Sequence, residues 1–336
     1  MLALSKHLYF VDELKWAFIN AILRRNVKEA IFWITEFYES GYENETWKLI
    51  YVTYCCFYFK NYSYYLKSID KKYKIWLDTK NFHEILNIVY RFSKMIKKDF
   101  TFFKIFWSQL KCKKINIELE NDIYDKYNAN GLYKILINSL KVKKYGNLWF
   151  FAQLNFDKTL NILKKYYKHK FKFKNTEVND KKVQLMMQIY ILNEGKMKSR
   201  PTIKVTKSLI KFYESIINDE KCESYRILKR KRLFGIPNEI GCFNLERYNY
   251  SREELENNYF YKWEFMASKS KIWNERINTW FGEFDKNNNI KFSNDDLEEK
   301  FYEKYGLEPD EQSIETHNKS INSIEKYEIK NWIQSF

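Results

Sequence analysis

Eleven consecutive residues, Lys164–Lys174 (KKYYKHKFKFK), bring cations and aromatic rings together. Lys164, Lys165, Lys168, Lys170, Lys172 and Lys174 can neutralise phosphates, and Phe171 and Phe173 can stack on unpaired bases. Tyr166 and Tyr167 lie between them. A second cluster, Lys229, Arg230, Lys231 and Arg232, adds four cations and also matches a short nuclear-localisation pattern of low specificity. RNA or DNA is the ligand such residues would take. The competing reading is a solvated helix face above core aromatics, in a chain rich in residues with AT-rich codons (Lys, Asn, Ile, Tyr, Phe).

Other chemistries find little support. Neither G-x-x-x-x-G-K-[ST] nor G-x-G-x-x-G occurs, so a backbone cradle for nucleotide phosphates is not expected. His7, His83, His169 and His317 are far apart, and there is no C-x-x-C. No metal site and no cofactor are expected, and each histidine reads as a surface or satisfied residue. Asp285–Asp296 (DKNNNIKFSNDD) places oxygens at calcium-loop positions 1, 3, 5, 9 and 12. Ile290, however, stands where the sharp turn needs Gly, and Asp296 where a bidentate Glu belongs. A polar linker followed by an N-cap at Ser293 is the expectation. With no catalytic constellation in view, the chain reads as non-enzymatic.

These residues must be carried on helices. Among 336 residues, 45% are hydrophobic and 30% charged, a globular balance. Eight Gly and three Pro supply too few turns for a sandwich or barrel, and aromatics reach 19%. Asp12–Arg25 places Leu14, Phe18, Ala21 and Ile22 on one stripe, and Val27–Ser40 does the same with Ala30, Ile34 and Phe37 before a C-capping Gly41. Glu43–Phe59 is a third, nearly all-apolar helix. Further helices are expected over Phe82–Met95, Phe102–Leu110, Gly131–Lys141, Asn147–Tyr166, Lys181–Leu192, Thr206–Ile217 and Ser293–Tyr305. A loop is expected at Asn128–Gly131, and a short strand in Lys170–Lys174. Ser251–Glu254 forms a capping-box pattern that opens a long helical stretch toward Phe281.

No run of apolar residues is long enough to span a membrane. Leu2–Leu4 is too short for the apolar part of a signal peptide. Cys55, Cys56, Cys112, Cys222 and Cys242 are odd in number and irregular in spacing, so reduced thiols in an intracellular setting are expected. Cys55 and Cys56 fall in an apolar helix and should be buried.

Charge is uneven along the chain. Residues 1–100 are net +5, residues 101–232 carry 30 basic against 12 acidic side chains for a net +18, and residues 233–336 are net −7. Either the middle is a surface for a polyanion, or the acidic and basic segments dock on each other. Three segments follow: an N-terminal helical bundle (1–127), a basic helical middle (128–234) and an acidic helical C-terminal region (235–336). The boundary between the last two falls in the Gly- and Pro-containing stretch Leu228–Phe243.

Two resemblances add to this reading. Leu14–Ile50 (LKWAFINAILRRNVKEAIFWITEFYESGYENETWKLI), Tyr259–Trp280 and Phe301–Gln312 resemble uncharacterised proteins of nucleocytoplasmic large DNA viruses, the giant viruses. Ala21–Gly41 (AILRRNVKEAIFWITEFYESG) is similar to the helical oligomerisation region of clamp-loader-like AAA+ ATPases, but the ATPase motifs are missing. The first resemblance implies a scaffold or adaptor that contacts other viral proteins in the virus factory of the host cytoplasm or in the virion. It supplies no catalytic residues. The whole reading is an all-α protein, an N-terminal helical bundle or helical-repeat-like array with a helical C-terminal part. Its expected role is non-enzymatic scaffolding through protein–protein contacts, with nucleic-acid binding by the basic middle as the alternative.

Overall fold

The structure is a computed structural model. It describes residues 3–106, 129–173, 180–195, 204–219, 250–251, 253–254, 258, 262–305 and 329–336, and the backbone of 235–237 and 325–327. The fold is all-α, with fifteen α-helices and two small two-stranded sheets among the described residues. Its contacts divide the chain into two units. The first holds residues 1–46, 85–94 and 203–336, and the second holds 47–84 and 95–202. These units interleave along the chain and do not follow the three segments of charge.

In the first unit, α1 (Val11–Leu23) and α2 (Val27–Glu39) form a helical hairpin. Leu14, Phe18, Ala21 and Ile22 of α1 are buried, as are Ala30, Ile34 and Phe37 of α2. The reversal is built from Arg25 in the left-handed region (φ 61) and from Asn26, whose side chain accepts the Glu29 N–H (3.3 Å). Such a cap satisfies one of the amides that a helix start leaves without a partner. Helix α1 is buried nearly all round. Residues of α15 (Ile329–Gln334) cover it: Trp332 Nε1 donates to Asn20 Oδ1 (2.9 Å), and its ring meets Trp16 edge-on at 5.4 Å. The unit also holds most of α6 (His83–Lys94), together with α11 (Lys207–Ile217), α12 (Trp263–Ala267), α13 (Lys271–Thr279) and α14 (Asp295–Tyr305). Strands β1 (Gly235–Pro237) and β4 (Glu325–Tyr327) pair in parallel, and β2 (Glu283–Phe284) and β3 (Ile290–Lys291) make an antiparallel hairpin.

The second unit holds most of α3 (Glu43–Phe57), then α4 (Phe59–Tyr62), α5 (Leu66–Thr79), a helical segment at 101–106, α7 (Ala129–Lys141), α8 (Tyr145–Leu154), α9 (Phe156–Tyr167) and α10 (Lys181–Glu194). Aromatic rings fill it. Tyr190 of α10 receives Phe59 (5.5 Å), Phe102 (5.6 Å) and Tyr145 (5.4 Å), and Phe106 meets Trp149 at 4.5 Å. Edge-on and tilted contacts of this kind add to the burial of apolar area. Cys55 and Cys56 are buried free thiols in this core, as their place in an apolar helix implied. The other three cysteines lie outside the described residues.

Several boundaries differ from expectation. Helix α7 begins at Ala129, so 129–131 are helical and not a loop. First-turn amides need no intrahelical acceptor, so Asn130 and Gly131 cost little there. The expected helix Asn147–Tyr166 is two helices split at Asn155, which is extended (φ −151, ψ 100). Its side chain accepts the Lys158 N–H (2.9 Å) and starts α9, the local bond that draws Asn to caps. The capping box at Ser251 forms both ways, Ser251 N–H to Glu254 (2.7 Å) and Glu254 N–H to Ser251 Oγ (3.1 Å). The stretch toward Phe281 is nevertheless broken. The hydroxyls of Ser268 and Ser270 donate back to the carbonyls of Phe265 and Ala267 (both 2.8 Å), and Ser270 is extended. Residues 171–173 join no strand. Residues 107–110 of the expected Phe102–Leu110 helix, and most of Leu228–Phe243, lie outside the described residues.

Gly41 does follow α2 as a C-cap, with φ +92. A Cβ at this position would also sit 2.3 Å from Lys271 Cβ. Gly41→Ala should therefore destabilise the protein by more than about 1 kcal/mol, through left-handed strain and the clash together. An unchanged midpoint in thermal unfolding would show that neither constraint holds.

Candidate nucleic-acid interface

Two places gather polar side chains. The first is buried, in the first unit. Residues 3–10 form a tight loop, with Leu4 bridging Phe10 and Leu8 at φ 63. Glu36 of α2, fully buried, receives this loop: its carboxylate accepts Ser5 Oγ (2.6 Å), the His7 N–H (2.7 Å) and His7 Nδ1 (2.5 Å). His7 Nε2 faces the Asp219 carbonyl at 3.1 Å. A carbonyl only accepts, so Nε2 carries a proton, and Nδ1 faces the Glu36 carboxylate.

Lys6 Nζ donates to the Ile217 carbonyl (2.8 Å), so a cationic side chain meets the C-terminal end of α11, where the helix dipole favours it. Ser40 Oγ accepts the Lys6 N–H (2.8 Å), and Trp273 Nε1 donates to the Ser5 carbonyl (2.8 Å).

Serine, histidine and glutamate together invite a catalytic reading, and the geometry rejects it. Ser5 Oγ donates to Glu36 and not to His7, and His7 Nε2 is spent on a backbone carbonyl. No base is left to activate the hydroxyl, and all three residues are buried. The set is a structural clasp. Sequence spacing could not reveal it, because Ser5 and Glu36 lie 31 positions apart.

The second place is the lysine run, in the second unit. Residues 157, 158, 161, 164, 165 and 168 are exposed at helical spacing, while Thr159 and Leu163 are buried. The amphipathic pattern of α9 thus turns Lys164, Lys165 and Lys168 to solvent. Lys168 ends the helix with φ 51 and ψ −132, a strained backbone for a residue with a Cβ. One 3-10 turn follows, and then an extended piece in which Lys170 and Lys172 face out and Phe171 faces in. No ion pair engages Lys164, Lys165, Lys168, Lys170 or Lys172 among the described residues. Lys174 and the cluster Lys229, Arg230, Lys231 and Arg232 lie outside the described residues.

The rings behave differently. Phe171 is 6% exposed and packs on Tyr167 (6.2 Å) and Phe173 (6.5 Å), so the expectation that it stacks on a base is corrected. Phe173 is half-buried against Phe156 at 5.6 Å. Burial pushes the Tyr167 hydroxyl up to about 12, and it donates to Asn193 Oδ1 (2.7 Å). The aromatic half of the run is therefore packing, and the cationic half is surface.

The calcium-like stretch is a hairpin. Asp285 Oδ1 accepts the N–H groups of Asn287 (2.8 Å) and Asn289 (3.0 Å) around Asn288 at φ 64. These bonds, that from Asn289 first, hold its carboxyl below the usual range. Ile290 belongs to β3, and Asn294, not Ser293, caps α14 through the Leu297 N–H (2.9 Å). Among the described residues, no three His, Cys, Asp or Glu side chains come together to hold a metal, and no helix is long and apolar enough to cross a membrane. Comparison with family models, with curated proteins and with solved structures finds no match to the chain.

The clasp makes a pH prediction. Burial alone would raise the Glu36 carboxyl, but the His7 charge and the donated hydrogen bonds outweigh it and hold it below its ordinary value of 4.5. A depressed carboxylate contributes stability that is present above its unfolded value and is lost as pH falls through the folded one. Stability should therefore drop as pH is lowered below about 4.5. Glu36→Gln should flatten that acid limb and cost about 1–3 kcal/mol at neutral pH, because it disrupts the buried acceptor of three hydrogen bonds. Denaturant unfolding across the pH range checks both; equal acid limbs in the two proteins would remove Glu36 as the cause.

Proposed function

We propose that this chain is a non-enzymatic scaffold protein whose second unit docks on the phosphate backbone of nucleic acid. The observation that carries the reading is the set Lys164, Lys165, Lys168, Lys170 and Lys172. All five are exposed within nine residues and have no carboxylate partner among the described residues. A cation paired with a carboxylate gains little from phosphate, whereas an unpaired one releases counterions from the polyanion when it binds. The part of the net-basic stretch that falls in this unit, residues 101–202, has the same sign. The resemblance to giant-virus proteins supplies the setting, a virus factory or virion, where such a scaffold would hold nucleic acid and viral proteins together.

Affinity for nucleic acid should fall steeply with salt. Neutralising Lys164, Lys165, Lys170 and Lys172 to Gln should weaken binding of any sequence and make the plot of log affinity against log salt shallower by about 1 per lysine. Fluorescence anisotropy with labelled oligonucleotides measures both. A variant that matches the parent in affinity and slope would sink the reading. Binding to viral proteins with none to oligonucleotides would leave protein docking as the role.

A further inference from the structure

The lysine run is tied to a second group of lysines in the same unit. Helix α10 ends at Asn193 and Glu194, and these adjacent residues reach two parts of the chain. Tyr167, next to Lys168, donates to Asn193 Oδ1 (2.7 Å). Lys143 Nζ (2.8 Å) and Tyr145 Oη (3.0 Å) both donate to Glu194. The turn between α7 and α8 is thereby fixed beside the end of α9. Lys141, Lys143 and Lys144 are exposed there, with Lys143 in the left-handed region (φ 57). Lys141 and Lys144 have no carboxylate partner among the described residues. The Lys143 hydrogen bond, then that of Tyr145, keeps the Glu194 carboxyl below the usual range. Glu194 is thus a negative charge held against Lys143, one residue from the Asn193 that holds Tyr167.

The rings of the run decide which form of nucleic acid this surface fits. Single strands are held by stacking as well as by charge. Here Phe171 is buried, Phe173 packs on Phe156, and Tyr166 packs edge-on against Tyr167 at 4.7 Å. With no ring fully exposed, charge density decides. A duplex carries one phosphate per ~1.7 Å of axis, twice the density of one strand.

We propose that Lys141 and Lys144 join Lys164–Lys172 in one surface for the phosphate backbone of duplex nucleic acid, with Glu194 as its internal counter-charge. This rests on the nucleic-acid reading above and adds to it a second set of contacts, a preferred form and a negative regulator of affinity.

The test uses the full chain and anisotropy with a mixed-sequence DNA duplex and one of its strands, over a range of salt. The duplex should bind more tightly than the strand. Lys141→Gln with Lys144→Gln should weaken duplex binding and lower the salt slope by about 2. Glu194→Gln, which keeps an acceptor for Tyr145, should strengthen it by about 2- to 5-fold. Circular dichroism of each variant checks that its helices remain. If the Lys141/Lys144 variant binds as the parent does while the Lys164–Lys172 variant fails, the shared surface is overturned and the lysine run stands. Tighter binding of the single strand overturns the duplex assignment. Weaker or unchanged binding by the Glu194 variant overturns the counter-charge. Absence of binding to either probe at low salt overturns this inference and the nucleic-acid reading together, as does binding only to anionic vesicles.

Discussion

A carboxylate with no access to water must be met by donors, and Glu36 meets that demand by gathering chain from three places. It sits on α2, takes three hydrogen bonds from residues 5–7, and through His7 reaches the carbonyl of Asp219 beyond α11. The loop it holds is held again from α13, where Trp273 donates to Ser5 and Arg276 to the Lys6 carbonyl (3.3 Å). Arg276 in turn lies over the rings of Trp273 and Tyr305, both at 4.6 Å. Residues far apart in sequence are thus committed to one geometry. An apolar replacement could be as stable, but a buried carboxylate with directional donors tolerates fewer arrangements.

The second unit solves its packing by other means. Its polar pairs lie nearer the surface, such as Lys60 with Asp99 (2.8 Å) and Lys72 with Glu84 (2.6 Å), and are worth little individually. Rings do the rest. Tyr54 and Tyr51 are buried but keep an outlet for the hydroxyl, Tyr54 on the Tyr62 carbonyl (2.7 Å) and Tyr51 on Asp70 (2.5 Å). Burial pushes both hydroxyls far above the ordinary tyrosine range. A chain so rich in Tyr and Phe can fill a helical core with rings, and the same packing withdraws the aromatics of the lysine run from any ligand. What this unit presents outward is charge.

The periodic parts of the fold were legible in the sequence. Leu14, Phe18 and Ile22, then Ala30, Ile34 and Phe37, recur at helical spacing because one face of each helix must leave water, and that face is where the structure buries them. Gly41 was legible because few other residues adopt φ +92, and the Ser251–Glu254 box because both its bonds are local. The outward turn of Lys164, Lys165 and Lys168 follows from the same periodicity. What the tertiary structure alone decided was everything that joins distant residues. Asn155 and Ser270 break helices that pattern alone would carry through, since apolar period cannot register a cap that forms in place of one more turn. Ser5, His7 and Glu36 become one clasp, and Lys143 and Tyr145 meet Glu194 next to the Asn193 that holds Tyr167. These contacts are set by packing between elements, and sequence spacing records only distance along the chain.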